Sequence, residues 1–402
     1  MSENKKIDCQ QLKNRMFHAT QIGSREYYNY PRALNRMGKL ASFSTDIWAP
    51  WAQNLFLPKS LARLKSRFNI DLEGFPVQSQ NFFKQFISVS KKTDCRFSFW
   101  EKQGESFGRW ASQNILKAGI DDRHGTFGFT NANLEIMQTA KKVGALAVHG
   151  QIDPGISWYE TVLKEHDSWG GVENNIKPPT TTYLNRLREE WDIADFIIAN
   201  SEHTKSSLIS QKVNSQKILV VPLAYDHVNK NLPRRKPIKN RRLRVLFVGN
   251  VSLSKGFQYF GQAADKLKSE FEFVAAGNVL INQEFLGQKG WPVTYLNHIN
   301  KSELEQEYLK ADIFVFPTLS DGFGMVQLEA MSYGLPVIAT ENCAHVVEDN
   351  VSGYRIQSRS VESIIEKLEL IKNDQNLYNY LSQNAIKRSK DFSLEKLNSL
   401  FE

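Results

Sequence analysis

The stretch Pro317–Thr340, PTLSDGFGMVQLEAMSYGLPVIAT, holds the residues whose types and spacing best suit chemistry. Asp321 follows an apolar run, and Glu329 comes eight positions later, with Gly322, Phe323 and Gly324 forming a turn between them. The two glycines let backbone amides come close to a ligand. A helix starting near Met325 adds its unpaired N–H groups, and together these make a place where phosphate oxygens can be held. Both carboxylates can reach one pocket and accept hydrogen bonds from ligand hydroxyls. An acid beside Gly-x-Gly also describes an ordinary turn between strand and helix with a surface glutamate. The full string is far more specific than its parts.

Elements in a fixed order have to present these groups. Ahead of Asp321 stands a strand, Asp312–Pro317 (DIFVFP); after it come a helix over Met325–Tyr333 and a strand at Leu335–Thr340 (LPVIAT). Upstream, strands are expected at Leu243–Gly249 and Phe271–Ala276, with a helix at Phe257–Lys268. Ser302 and Glu305 form a capping-box pattern before a helix running toward Leu309. An earlier series predicts strands at Arg15–Thr20, Leu40–Ser44, Val143–His149, Ala194–Asn200 and Ile218–Pro222. Its helices fall at about Glu26–Met37 and Ala132–Lys142, and Ser201 caps another. Continuous apolar runs separated by helices mark strands buried on both faces of a parallel sheet. Two such series predict an α/β protein of two doubly wound domains facing across a cleft, with the ligand beyond the carboxyl ends of the strands. The basic, proline-bearing stretch Asn231–Arg242 separates them. The span Trp48–Gly128 is rich in Phe and Trp, shows few clean strand signals, and is expected to pack over the first domain as an insertion.

A chain of 402 residues that is 41% apolar and 23% charged is long enough for two or three folded domains, which excludes a single small binding module. No apolar run is long enough for a membrane-crossing helix, and the start, MSENKKIDCQQLKNR, lacks the apolar core of a secretory signal. Cys9, Cys95 and Cys343 share no metal-like or redox-like spacing, which fits a reducing cytoplasm. The net charge of +8 favours anionic partners. Its densest run, Arg234–Arg244, is expected to be a solvated linker; nucleic acid is not expected as a partner, because no recognisable fold or interleaved aromatics accompany the charge. Pro58–Phe68 (PKSLARLKSRF) has basic and apolar positions at helical spacing, as in an amphipathic helix that faces its own core or rests on an anionic membrane. Trp48, Trp51, Phe82, Phe83, Trp100 and Trp110 are expected mostly to fill core, the alternatives being to stack on sugar rings or to touch a lipid.

The string DGFGMVQLEAMSYGLPVIAT resembles the signature of the retaining nucleotide-sugar glycosyltransferases of family 4, which have the two-domain GT-B fold. VLFVGNVSLSKGFQYF resembles the phosphate-binding start of their C-terminal domain, ADFIIANSEHTKSSLI and KILVVPLAYD the end of their N-terminal domain, and VEDNVSGYRI the segment after the signature. The resemblance covers nearly the whole chain except Trp48–Gly128. It implies a Rossmann-like acceptor-binding domain over 1–232 (with the insertion at about 48–128), a linker over 233–242, and a Rossmann-like donor-binding domain over 243–385. A C-terminal helical segment, 386–402, would pack back on the N-terminal domain.

The same resemblance implies roles for single residues. Lys255, a compact cation beside a glycine turn, would neutralise the donor diphosphate. Glu329 would hold the ribose hydroxyls, and Asp321 would contact the donor sugar. Gly322, Phe323, Gly324, Met325 and Val326 would line the donor site and offer backbone amides. Gly23 would let the first loop approach the diphosphate. His149 matches a position that reaches the transferred sugar, and fits equally a satisfied core histidine. Asn250 stands beside the diphosphate where many members carry arginine, and Asp321 stands where glutamate is usual. The expected activity is metal-independent, retaining transfer of a hexosyl group from a nucleotide diphosphate sugar to a hydroxyl of a glycan or glycolipid, in polysaccharide or glycoconjugate synthesis. No cofactor beyond the donor is expected, and the expected location is cytoplasmic, with at most peripheral contact at the inner face of the membrane. The two departures leave open a catalytically impaired glycosyltransferase-like binding or regulatory subunit.

Overall fold

The computed structural model describes residues 10–58, 61–80, 96–173, 176–226 and 237–399. Two parallel sheets account for its strands. The first has seven: β1 (Met16–Gln21), β2 (Leu40–Thr45), β3 (Val77–Ser79), β4 (His124–Phe129), β5 (Leu146–Gln151), β6 (Phe196–Ala199) and β7 (Ile218–Val220), in the order β3-β2-β1-β4-β5-β6-β7. The second has six: β8 (Leu243–Val248), β9 (Phe271–Ala276), β10 (Val293–Asn297), β11 (Ile313–Phe316), β12 (Val337–Thr340) and β13 (Gly353–Ile356), in the order β10-β9-β8-β11-β12-β13. Each strand order reverses beside the first strand of its series, at β1/β4 and at β8/β11, and such switch points open a crevice at the strands' carboxyl ends. The apolar runs read from the sequence are the buried strands, with β8, β11 and β12 almost wholly out of solvent.

Helices cover both faces of each sheet, and one apolar core runs from Phe17, Phe43 and Phe127 in the first domain to Phe314, Leu328 and Val337 in the second. The chain then turns back on itself. After the helix Gln375–Ser389, a turn at Lys390–Phe392 brings the Phe392 carbonyl onto the Tyr225 amide at 2.7 Å. The last helix, Leu394–Ser399, packs against the first domain's helix Asn29–Arg36, with Leu394 and Leu397 buried and the Leu394 amide bonded to Asp226.

Several local expectations are corrected. The first long helix starts at Asn29, not Glu26, because Glu26, Tyr27 and Tyr28 are all in left-handed backbone, with φ of 54°, 52° and 61°. The capping box before Lys301–Lys310 is Asn300 with Glu303, two residues earlier than Ser302 and Glu305; asparagine caps as well as serine. Pro58–Phe68 is not an amphipathic α-helix: its described part is a 3-10 turn, Ala62–Ser66, with Leu64 buried and Arg67 turned onto Asp46 at 3.0 Å. The aromatic span is more than an insertion, since it supplies edge strand β3, the helix Arg96–Lys117 and most of the central strand β4. Trp48 lies among Tyr28, Phe43 and Phe68, while Phe82 and Phe83 lie outside the described residues. The linker arginines that are described are paired: Arg241 holds Asp312 through two bonds of 2.6 and 2.7 Å, and Arg244 holds Glu307 and Glu272.

Candidate active site

Lys255 ends a one-turn helix, Leu253–Lys255, directly after β8. Gly256 closes that turn at φ 70°, and a Cβ there would stand 1.8 Å from the Pro317 carbonyl oxygen. Only glycine therefore lets the loop after β8 lie on the end of β11. The Leu319 amide seals the contact on the Ser254 carbonyl at 3.0 Å. This packing brings Lys255 onto Asp321, and the two side chains form an ion pair. Asp321 Oδ1 also accepts the Phe323 amide at 3.2 Å, which winds the chain into the glycine turn.

Gly324, at φ 81°, caps the helix Met325–Ser332. A Cβ on it would meet the Phe316 ring at 2.6 Å, so the helix start sits hard against the end of β11. The free N–H groups of that first turn and the ammonium of Lys255 face one cleft of about 490 Å³. Its second-domain wall includes Gly249, Lys255, Asp321 and the run Gly322–Val326; its first-domain wall includes Arg25, Glu26, Asp153, Trp158 and Asn200. The lobes touch across it: the Trp158 indole donates to the Ser320 carbonyl at 3.1 Å, and Ser201 donates to the Gly322 carbonyl at 2.5 Å.

The other expected residues lie around this cleft rather than on its wall. Glu329 sits one turn and more along the helix, where Tyr27 and Tyr308 both donate to its carboxylate at 3.1 and 2.9 Å. Burial raises its pKa, against the two phenol bonds that favour the charged form. Gly23 gives its amide to Asp46 at 2.8 Å. Asn250 is exposed, with its amide oxygen toward Asn278. His149 is wholly buried in β5 beside Gln151 and Thr130, and burial lowers its pKa to about 4, so it is a neutral core histidine off the cleft wall. Among the described residues, no group of three or more His, Cys, Asp or Glu side chains is placed to hold a metal ion.

Arg25, Glu26, Asp153 and Trp158 were not singled out from sequence. The signal for Asp153 is legible afterwards: an acid just past a strand, in GQIDPG, followed by a breaker pair. It accepts the Gly155 amide and a bond from Gln151, and burial raises its pKa. Glu26 has no such signal. Its Oε2 is shut off from solvent without a partner among the described residues, and desolvation pushes its pKa up to about 7. The first domain also braces the lysine loop. Glu173 accepts the Leu253 amide at 2.8 Å, and buried Glu165 accepts from Gln258, Tyr259 and Arg359 at 2.7–2.8 Å.

Known proteins resemble this chain in sequence and in fold. Residues 228–388 match the family model described as glycosyl transferases group 1. An uncharacterized glycosyltransferase of Haemophilus influenzae is 25% identical over 246 residues, 59% of this chain and 67% of that protein. A Campylobacter jejuni α-1,4-N-acetyl-D-galactosaminyltransferase, named for an undecaprenol-diphosphate-linked glycan, is 24% identical over 59% of this chain and 65% of its own length. The chain thus spans about two thirds of these curated relatives. The crystal structure of Anabaena HepE in complex with UDP superposes with a TM-score of 0.62 over 96% of this chain and 98% of that one, at 13% identity. The fold is GT-B. The matched region lies in the second domain, which is similar to the group 1 glycosyltransferases.

Proposed function

We propose that this protein transfers a hexosyl group from a nucleoside diphosphate sugar to a hydroxyl of a glycan or glycolipid, with retained anomeric configuration and without a metal. One observation carries the reading: Lys255, Asp321 and the start of the helix Met325–Ser332 converge on a single cleft between the lobes. Departure of the diphosphate is the hard step, and charge grows on its oxygens as the sugar C1–O bond breaks. Lys255 and the amides of the glycine turn would carry that charge, each fixed donor contributing on the order of 3 kcal/mol. The acceptor oxygen bonds to C1 on the face the diphosphate leaves, and its proton passes to the departing phosphate oxygen. In the free protein Asp321 holds Lys255; the diphosphate replaces it as the partner of the ammonium, freeing the carboxylate to accept from sugar hydroxyls. Glu329 would take the ribose hydroxyls.

UDP bound to the neighbour of the same fold makes uridine diphosphate sugars the first donors to test. The lipid-linked glycan in the Campylobacter relative's name supports a glycolipid acceptor and work at a membrane face. No helix among the described residues is long and apolar enough to cross a membrane. Trp51, Leu55, Phe56 and Leu61 of the first domain are exposed, with Phe56 fully in solvent, and would supply peripheral contact. The test is a panel of nucleotide sugars, read by thermal shift and by release of nucleoside diphosphate. A donor that stabilises the chain and is turned over, with turnover lost in Lys255→Ala, is the expected result. If none binds, the transferase reading falls, and a binding subunit takes its place.

A further inference from the structure

Past the helix Ile156–Ser168, the chain of the first domain enters the core of the second. Val172 is buried in the apolar cluster of Val251, Leu253 and Phe257, and Trp169 packs edge-on against Tyr259 and Phe285. The Asn282 amide donates to the Val172 carbonyl at 2.7 Å, and Glu173 forms an antiparallel bridge with Ile281. This seating delivers the buried Glu173 to the loop after β8, where its Oε2 accepts the Leu253 amide at 2.8 Å.

That amide is the first of the turn Leu253–Lys255, and a first amide has no acceptor within its own turn. Ser252 is the residue placed to cap it, since serine is a favoured cap, yet its side chain makes no capping bond. The Ser252 hydroxyl lies instead with the Asn250 carbonyl and the Ser254 hydroxyl, at 3.3 and 3.1 Å. A carboxylate from the opposite lobe does the capping, and an ionised acceptor makes the stronger kind of N–H bond. The carbonyl of the same residue is approached from the same lobe. Gln258, which donates to Glu165 at 2.7 Å, also donates to the Leu253 carbonyl at 3.3 Å. First-domain carboxylates therefore hold the peptide groups on both sides of Leu253, two residues before Lys255.

We propose that Glu173 is a positioning residue of the transfer reaction: by capping the turn Leu253–Lys255 across the lobes, it fixes where the Lys255 ammonium stands against the diphosphate. The inference rests on the transferase reading above. Within it, the cation that meets the leaving group is set in place by the opposite lobe, so docking of Trp169–Glu173 and stabilisation of the departing diphosphate are linked. A cation shifted slightly from the growing charge loses effect on the barrier while still holding the diphosphate in the ground state.

Glu173→Met keeps the length of the side chain and removes the acceptor, whereas Glu173→Gln keeps an acceptor. With a nucleotide sugar that the parent turns over, Glu173→Met should lower kcat about tenfold to a hundredfold and move the donor KM by less than about threefold. Glu173→Gln should stay within about threefold of the parent in kcat. In a Lys255→Ala background Glu173→Met should cost nothing further, because groups that act as one unit are not additive. The same fractional loss with and without Lys255 overturns the inference, as does a parent-like kcat in Glu173→Met, whatever happens to Tm. Glu173→Asp, which draws the carboxylate back by one methylene, takes its place in this comparison if the methionine variant does not fold. A second readout needs no donor. Lys255 is half-buried in its ion pair, and its acylation, followed by mass spectrometry of the full chain, should rise severalfold in Glu173→Met relative to the exposed Lys266 and Lys268. Unchanged labelling of Lys255 also overturns the inference. If the parent turns over no nucleotide sugar, the transferase reading is what fails, and the labelling alone decides whether Glu173 positions the lysine.

Discussion

Tyr27 of the first domain donates its phenolic hydrogen to Glu329 of the second at 3.1 Å, sharing that carboxylate with Tyr308. The bond ties the two lobes together beside the cleft, at the carboxylate proposed for the ribose hydroxyls, and it comes from a residue held in left-handed backbone. A ligand hydroxyl reaching Oε1 has to share or displace the phenol. Tyr27→Phe is therefore expected to tighten UDP binding about three- to tenfold, the equivalent of one modest hydrogen bond no longer broken on binding. Isothermal titration of the full chain reads this. Weaker binding would instead make Tyr27 a contact of the nucleotide.

Lys255→Ala should reduce turnover about a hundredfold to a thousandfold, the size of losing one fixed donor to a developing oxyanion. Asp321→Asn removes the ammonium's resting partner but keeps the shape. It should therefore leave diphosphate binding intact, as measured by UDP titration, while turnover falls. Equal activity in parent and Lys255→Ala would remove the lysine from the mechanism.

Glu26 gives a pH signature. Desolvation lifts its pKa from 4.5 to about 7, so between those values the folded chain holds a proton that the unfolded chain has lost. Its contribution to stability is present below the lower value and disappears as pH rises through the upper one. Thermal unfolding compared at about pH 5 and pH 8 should show a smaller drop for Glu26→Gln than for the parent. Parallel drops would mean that Glu26 is already ionised in the cleft. His149 runs the other way: its neutral form is favoured, so its contribution is present above 6.5 and fades as pH falls through about 4.

Buried Glu165 ties three second-domain donors to a first-domain helix, and Glu165→Ala strands Arg359, Tyr259 and Gln258 together. The expected cost is on the order of 3 kcal/mol, read as a lowered denaturation midpoint. An unchanged midpoint would show the cluster to be dispensable.

Trp51, Leu55 and Phe56 replaced together by serine should reduce co-sedimentation with anionic vesicles at least tenfold, because each large apolar side chain contributes roughly 1.5–3 kcal/mol when buried. Stability should stay level, since these side chains are exposed in the folded chain. Vesicle binding that survives the triple change would assign the contact elsewhere.

Much of the fold was legible because parallel strands advertise themselves as apolar runs: β8, β11 and β12 fall within the predicted segments. Central strand β4 was hidden because HGTFGF is broken by two glycines and begins with a polar residue. The second-domain wall of the cleft was equally readable, since Lys255, Asp321 and Gly322–Val326 are local in sequence and share one loop system. The first-domain wall was not. Arg25, Asp153 and Trp158 meet only through the order of β1, β4 and β5, and left-handed Glu26–Tyr28 contradicts the helix that local propensity favours. Tertiary packing against Glu329 and the core decides that segment, and no window of the sequence contains both partners.

Glu165 and Glu173 clamp the Leu253–Gln258 region, so the helix Ile156–Ser168 rides with the opposite lobe although its connections are to the first. Any parting of the lobes has to break these bonds or carry that helix along, and the helix joins the first domain through Gly155, where the backbone stands at φ 71°.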